Sequence, residues 1–430
     1  MGRRVSLYSL AMKRGSTAWA EQVIARCRML AHLSEDTGGT RRTFLSPPMR
    51  DVHRELAGWL ELLGVSATVD AAGNLRGLYP GADPQAPRLL LGSHLDTVPN
   101  AGAYDGVLGV VLAVALLESL EGRRLRFAIE VLGFSDEEGV RFGVPFIGSR
   151  ALVGRIDEEL LKRKDERGIS VRDAIRHFGL NTGDIAAAAL KGDVLGYLEF
   201  HIEQGPVLEN LGRPLGVVEA IAGQTRMEII FTGRANHAGT TPMHLRRDAL
   251  AAAAEWVVAV EREGRSIPGL VATVGALEAK PGASNVIAME ARATLDVRHA
   301  SDDVRGRIGE NLARQAEEIA ARRGLSVERH TLMDQRAVAM DGFLMEQIEE
   351  AIRAAGCEPH RMVSGAGHDA MILAEKVPAG MIFLRTPGGI SHDPAESVEA
   401  GDVAKALECG LHLLEQLAAS PVLKRRMSRA

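Results

Sequence analysis

The chain has 430 residues, with 51 Lys and Arg against 56 Asp and Glu and a net charge of −5, so it lacks the basic footprint that nucleic-acid binding needs. Its hydrophobic (46%) and charged (25%) fractions are those of a soluble globular protein with room for two or three domains, and no apolar run reaches membrane-spanning length. Three cysteines, Cys27, Cys357 and Cys409, form an odd set without metal spacing, which points to a reducing, cytoplasmic setting.

The beginning, MGRRVSLYSLAMKRG, is basic but has no long apolar stretch, so it does not read as a secretory signal. Ala18–Ala31 and Met49–Leu63 have helical spacing, and residues 66–79 suggest a hairpin turning at 71–74. Strand Leu89–Gly92, helix Val107–Leu120, strand Arg126–Phe134 and strand Tyr197–Ile202 then alternate, which argues for a mostly parallel sheet covered by helices. Val107–Leu117 is too short to span a bilayer and reads as a buried core helix, while Ile156–Gly192 is polar, helical in pattern and without evident chemistry.

The character changes after Gly212. Pro214–Thr232 reads as two strands broken around Ala222-Gly223, followed by helix Arg247–Glu263, strands Leu270–Leu277 and Asn285–Arg298, and helix Asp302–Arg323. The order is roughly β-α-β-β-α-β, a self-contained unit inserted into the first domain. Around Val327 the chain is expected to return to the larger domain with helix Gly342–Ala355, strand Gly380–Leu384 and helix Asp402–Ala419. The expectation is an α/β protein: a catalytic domain with a mixed, mostly parallel sheet at 1–212 and 328–430, and an inserted α+β lid and dimerisation domain at 213–327.

Five places that follow apolar runs carry metal-ligand side chains: His94, Asp105, the Glu137-Glu138 pair in FSDEEG, His201 in EFHIEQGP and His392 in GGISHDP. A lone histidine after a strand is usually structural, but five coincident cases at strand ends are where open α/β sheets build their sites. Two metals held close together need a bridging carboxylate with His and carboxylate ligands on either side. Asp105 suits the bridge, His94 and His201 one ion, and Glu138 and His392 the other. Glu137 is left unliganded beside the metals as a general base, and Asp96 is expected to accept from the second ring nitrogen of His94.

The motifs GSHLDTV (92–98), AYDGVLGV (103–110), SDEEGVRF (135–142), HIEQGPVLE (201–209), GRANHAGTTPM (233–243), SNVI (284–287), DVRH (296–299), SGAGHDA (364–370) and GGISHDP (388–394) resemble those of the di-metal amidohydrolases. That family includes N-carbamoyl-L-amino-acid amidohydrolase, allantoate amidohydrolase and β-ureidopropionase, relatives of the aminoacylase and carboxypeptidase-G-like metallopeptidases. The peptidase branch usually has a carboxylate where this chain has His201, as the carbamoyl and ureido hydrolases do.

The resemblance implies hydrolysis of the ureido C–N bond of allantoate or an N-carbamoyl-L-amino acid by two divalent ions (Zn, Mn, Co or Ni) in a homodimer. A dipeptidase or N-acyl-amino-acid hydrolase is the alternative. It also implies that His237, in a loop otherwise readable as a polar turn, polarises the scissile carbonyl, acting across subunits. Arg298, Asn285 and Gln204 would bind the small-molecule substrate, although Arg298 by spacing alone could equally form a surface ion pair. Gly365-Ala366-Gly367-His368 lacks a nucleotide fingerprint; a Gly-rich turn whose backbone meets the substrate, at Gly367, is the better reading. His368-Asp369 reads as a supporting pair or a core couple, and Arg385 as either a substrate contact or a brace for the His392 loop.

Overall fold

The structure, a computed structural model, describes residues 16–420, so the basic stretch at the beginning lies outside the described residues. The described residues divide into two compact units. The first takes the chain up to Glu219, Met340–Met362 and the chain from His368 onward; the second takes Ala220–Ala339 and Val363–Gly367.

The first unit carries strands β1 (Thr40–Arg42), β2 (Ala67–Val69), β3 (Leu75–Tyr79), β4 (Arg88–His94), β5 (Thr97–Ala101), β6 (Ala128–Phe134), β7 (Val194–Ile202) and most of β8 (Leu215–Ile221). The second carries β9 (Gly223–Thr232), β10 (Val271–Lys280), β11 (Glu290–His299), β12 (Ser326–Gln335) and β13 (Val338–Ala339). After β14 (Arg361–Ser364), the chain adds β15 (Ala379–Leu384) to the first unit.

Within a nine-stranded mixed sheet, strands run in the order β2-β3-β6-β4-β7-β15-β8. The centre is parallel: β4 pairs with β6 and β7, and β15 pairs with β7, whereas β3 on β6 and β8 on β15 are antiparallel. Because the four central strands share a direction, their C-terminal ends lie along one edge, with His94 opposite Phe134 and His201 opposite Phe383. That edge is where loops can collect polar groups without breaking the ladder.

Helix Val107–Ser119 anchors this edge from below. Residues 107–117 are all buried, as expected of a helix that is apolar all round. It packs on β4, β6 and β7 and under helices Ser16–Ala31 and Ala400–Ala419. Its N-terminus therefore holds Asp105 rigidly, two residues ahead of its first turn.

The second unit is a four-stranded antiparallel sheet, β10-β11-β9-β12, with helices Ala249–Ser266 and Asp302–Arg323 on one face. Strict alternation builds its core: Met227, Ile229 and Phe231 on β9 and Ala291, Ala293, Leu295 and Val297 on β11 all point inward. Trp256 fills the space beneath, its indole N–H donating to the Leu312 carbonyl at 2.8 Å.

The expected order β-α-β-β-α-β is observed, but the expected boundaries are corrected. Val327 lies inside β12, paired with Phe231 of β9, so the chain returns to the first unit only at Met340. At the other border, β8 belongs to the first unit through Glu219 because it pairs with β15. The strand expected from Asn285 begins at Glu290, and Asn285 lies in the preceding turn, its carbonyl accepting from Ala238 N at 2.9 Å.

Candidate metal centre

The apolar core of β4 ends by delivering His94, whose Nδ1 faces the backbone carbonyl of Asp96 at 2.9 Å. On β7, His201 Nδ1 faces the Ile202 carbonyl at 2.8 Å. A carbonyl can only accept, so each ring holds a proton on Nδ1 and turns its Nε2 toward the other ring and Asp105. The two Nε2 atoms stand 3.3 Å apart, and Asp105 Oδ1 is 3.3 Å from His201 Nε2 and 3.8 Å from His94 Nε2. Two imidazole nitrogens and a carboxylate, all buried, converge on one point, a donor set that could hold a metal ion.

The other oxygen of Asp105, Oδ2, is 3.2 Å from His392 Nε2, which is 3.4 Å from Glu138 Oε1. The His94, Asp105, His201 set and the Asp105, Glu138, His392 set each place one donor atom per residue within 4.8 Å of one another. Asp105 is thus common to two triads, one oxygen toward each. The donor chemistry, imidazole plus carboxylate, suits divalent metal ions.

Electrostatics point the same way. Burial pushes Glu137 well above the ordinary carboxylate range, and the neighbouring Glu138 charge adds to it. Burial also raises Glu138, against the hydrogen bond from His392. Hydrogen bonds to Asp105 and Glu138 lift His392 to about 10, whereas burial lowers His201 to about 4. Burial would raise Asp105 as well, but the His392 hydrogen bond and the fields of His201 and His94 hold it well below its usual range. This is a buried acidic cluster in need of positive charge, which divalent ions supply.

Asp96 is corrected. Its carboxylate lies 3.6 Å from His94 Nδ1, beyond hydrogen-bond length, and instead accepts from the Glu137 and Glu138 amides at 2.9 and 3.1 Å. It therefore fixes the loop that aims the two glutamates rather than the histidine tautomer. Gly106 closes the cradle: at φ 66° it adopts a backbone conformation natural to glycine, and a Cβ there would fall 2.4 Å from the His94 ring.

Gln204, expected on substrate, lies on Asp105. Its Nε2 donates to both Asp105 oxygens at 3.1 Å and sits 3.2 Å from Ser391 Oγ and 3.4 Å from His392 Nε2. Arg385 grips Asp402 at 2.8 and 2.9 Å and Glu399 at 3.0 Å, at the start of helix Ala400–Ala419. His368 is buried with its ring 4.5 Å from that of His201, and it groups with His201 and Glu199 as a further set of donor atoms.

The remaining expected residues belong to the second unit. His237 is exposed, its Nδ1 accepting from Gly239 N at 3.1 Å. Arg298 forks onto Asp296 at 2.9 and 3.1 Å and donates to the Gly365 carbonyl at 2.6 Å, two residues before Gly367. The ion pair weighed for Arg298 thus forms, and it presets the guanidinium plane.

Three supporting residues carry little or no signal in the sequence. Glu199 is fully buried, accepting from Ser93 Oγ at 2.8 Å and Ala370 N at 3.1 Å, which ties β4 and the His368 turn to β7. Its position two residues before His201 on one strand face was the available signal. Buried Arg42 donates from Nε to the Leu95 carbonyl at 2.7 Å, between His94 and Asp96. Glu396, four residues after His392, gave no signal by spacing.

The family described as peptidase family M20/M25/M40 matches residues 90–418. Allantoate deiminase 2 from Glycine max is 38% identical over 431 residues, covering 92% of this chain and 89% of its own length. An N-carbamoyl-L-amino acid amidohydrolase from Geobacillus stearothermophilus is 39% identical over 387 residues, covering 89% of this chain and 95% of its own. Among solved structures, an amidase of the hydantoinase/carbamoylase family from Burkholderia multivorans superposes with a TM-score of 0.88 at 32% identity, over 94% of this chain and 98% of that one.

Proposed function

From the premise that this chain belongs to peptidase family M20/M25/M40, we propose that it is a metal-dependent amidohydrolase acting on the ureido C–N bond of allantoate or an N-carbamoyl-L-amino acid, with release of ammonia and carbon dioxide. The single observation that carries this reading is the pair of donor triads sharing Asp105, with an imidazole, His201, at the place where the peptidase branch usually has a carboxylate.

His94, Asp105 and His201 would hold one divalent ion, and Asp105, Glu138 and His392 the other; zinc, manganese, cobalt and nickel all suit these donors. When bound there, such ions would supply Lewis acidity, which polarises a carbonyl and lowers the pKa of a water from about 15.7 towards about 7. Glu137, buried and held by the Asp96 brace, takes the proton from the attacking water and delivers it to the leaving nitrogen. Arg298 offers its fork to the substrate carboxylate, with Asn285, Gln204 and the Gly367 turn as further contacts. His237 donates to the carbonyl oxygen as charge develops there, from the partner subunit of a homodimer. Among the described residues no helix is long and apolar enough to cross a membrane and all three cysteines are free, which supports a cytoplasmic home.

Arg298→Lys tests the carboxylate contact. Lysine cannot keep the two-pronged bond to Asp296 or offer a planar fork, so KM rises by about tenfold or more while kcat changes little. An unchanged KM removes Arg298 from the substrate. The activity itself is tested on allantoate, several N-carbamoyl-L-amino acids, N-acetyl amino acids and dipeptides, with each metal in turn. Ammonia release confined to the ureido substrates is expected. Cleavage of the acyl or peptide substrates alone would contradict the proposal.

A further inference from the structure

Glu396 touches no expected ligand side chain, yet it lies at the centre of the site's wiring. Its side chain is buried, and Oε1 accepts two backbone amides, Tyr104 N at 2.8 Å and Asp105 N at 3.1 Å. The other oxygen, Oε2, accepts from Ser391 Oγ at 3.2 Å, immediately before His392. Ser391 Oγ in turn accepts from Gln204 Nε2 at 3.2 Å, and the same nitrogen donates to the Asp105 carboxylate at 3.1 Å.

These bonds close a ring: Asp105 amide, Glu396, Ser391, Gln204 and back to the Asp105 side chain. The ring joins three loops that no secondary structure connects: the turn before helix Val107–Ser119, the segment after β7 and the segment after β15. One of its joints, Gln204 at φ 59°, sits in left-handed backbone, as does His392 at φ 57° next to Ser391, conformations that persist only when surroundings over-determine them. His392 is nearly half exposed, so packing does little to hold it. The space beside Glu396 is closed as well: a Cβ on Gly102 would fall 2.4 Å from Glu396 Cβ.

We infer that Glu396 is a positioning residue for the metal pair: its carboxylate locks the Asp105 loop to the Ser391-His392 loop and so sets the spacing of the Asp105, Glu138, His392 triad. It acts through hydrogen bonds and touches neither ion nor substrate. The inference rests on the metal-dependent reading given above.

Glutamine at 396 keeps the ring, because its carbonyl oxygen still accepts from both amides and its NH2 donates to Ser391 Oγ, which has a lone pair to spare. Alanine breaks it, leaving two buried amides unpaired and the His392 loop untied. The test titrates Mn²⁺ and Zn²⁺ against a chromophoric chelator, reading stoichiometry and affinity for the purified chain and for Glu396→Gln, Glu396→Ala, Ser391→Ala and Gly102→Ala, with thermal unfolding as the check on fold. Outer partners of metal ligands are typically worth about 10- to 100-fold in affinity. Glu396→Ala is therefore expected to weaken the looser of the two ions by about tenfold or more. Glu396→Gln is expected to restore near-normal affinity, Ser391→Ala to lose part of it and Gly102→Ala to resemble Glu396→Ala.

A folded Glu396→Ala chain with wild-type affinity overturns the inference. If that variant does not fold, unchanged affinity in Ser391→Ala overturns it instead. Wild-type protein that binds two ions but releases no ammonia from any ureido substrate refutes the substrate reading while leaving the Glu396 result intact, so the two failures are distinct.

Discussion

Glu137→Gln is expected to bind metal as the wild-type chain does and to lose about 10²- to 10⁴-fold in kcat, the usual contribution of a positioned general base. The expectation follows from what the substitution spares. Glu137 stands outside both Asp105-centred triads, though its carboxylate also groups with His94 and Glu138; its backbone amide is held by Asp96 at 2.9 Å, and glutamine has nearly the same shape. What vanishes is the ability to take a proton. Because burial and the adjacent Glu138 charge already hold this carboxyl high, the neutral side chain should be well tolerated by the fold. Metal analysis and steady-state kinetics on one preparation check it. Normal turnover would remove Glu137 from the chemistry, and loss of metal would reassign it as a ligand. The same variant tests the dimer: mixed with His237→Ala chains, it should recover part of the activity if His237 serves the neighbouring subunit's site.

Asp105→Asn should be the most damaging single exchange at the site. Asp105 is the one side chain common to both triads, with one oxygen 3.3 Å from His201 Nε2 and the other 3.2 Å from His392 Nε2. Asparagine removes the negative charge and replaces one of the two oxygens by an NH2 donor, which cannot ligate a cation. Both ions should weaken together, and activity should fall below about one-thousandth of the wild-type value, a loss of roughly 4 kcal/mol in transition-state stabilisation. Chelator competition and ammonia release measure the two effects. An Asp105→Asn chain that keeps both ions would show that the shared carboxylate does not bridge.

Much of this site is legible in the sequence because parallel sheets write it plainly. Leu89–Leu91, Ile129–Phe134 and Gly380–Leu384 are buried, largely apolar runs that stop abruptly, and the polar residues after them land on one edge once the strands run in one direction. What stayed hidden depended on contacts remote along the chain. Asp96 is adjacent to His94 in sequence, which suggested a bond between the two side chains. The chain instead turns the Asp96 carboxylate toward amides 41 and 42 residues away.

Glu396 reaches back 291 residues to the Asp105 amide, a distance no spacing rule covers. The boundary at 339–340 is hidden for a different reason. β12 is an edge strand with most of its side chains exposed, so SVERHTLMDQ lacks the apolar alternation that marked β9 and β11. The motif around Gln204 likewise gives no hint that its side-chain amide reaches the aspartate common to both triads.

The claim on which all of this depends is that Asp105 is shared by two ions. Crystals loaded with Mn²⁺ or Zn²⁺ and measured at the metal's absorption edge test it directly through anomalous difference density. Two peaks are predicted, one bonded to His94, His201 and Asp105 and the other to Glu138, His392 and Asp105, at ligand distances of about 2.0–2.3 Å. A single peak, or peaks that leave Asp105 bonded to only one ion, would contradict it.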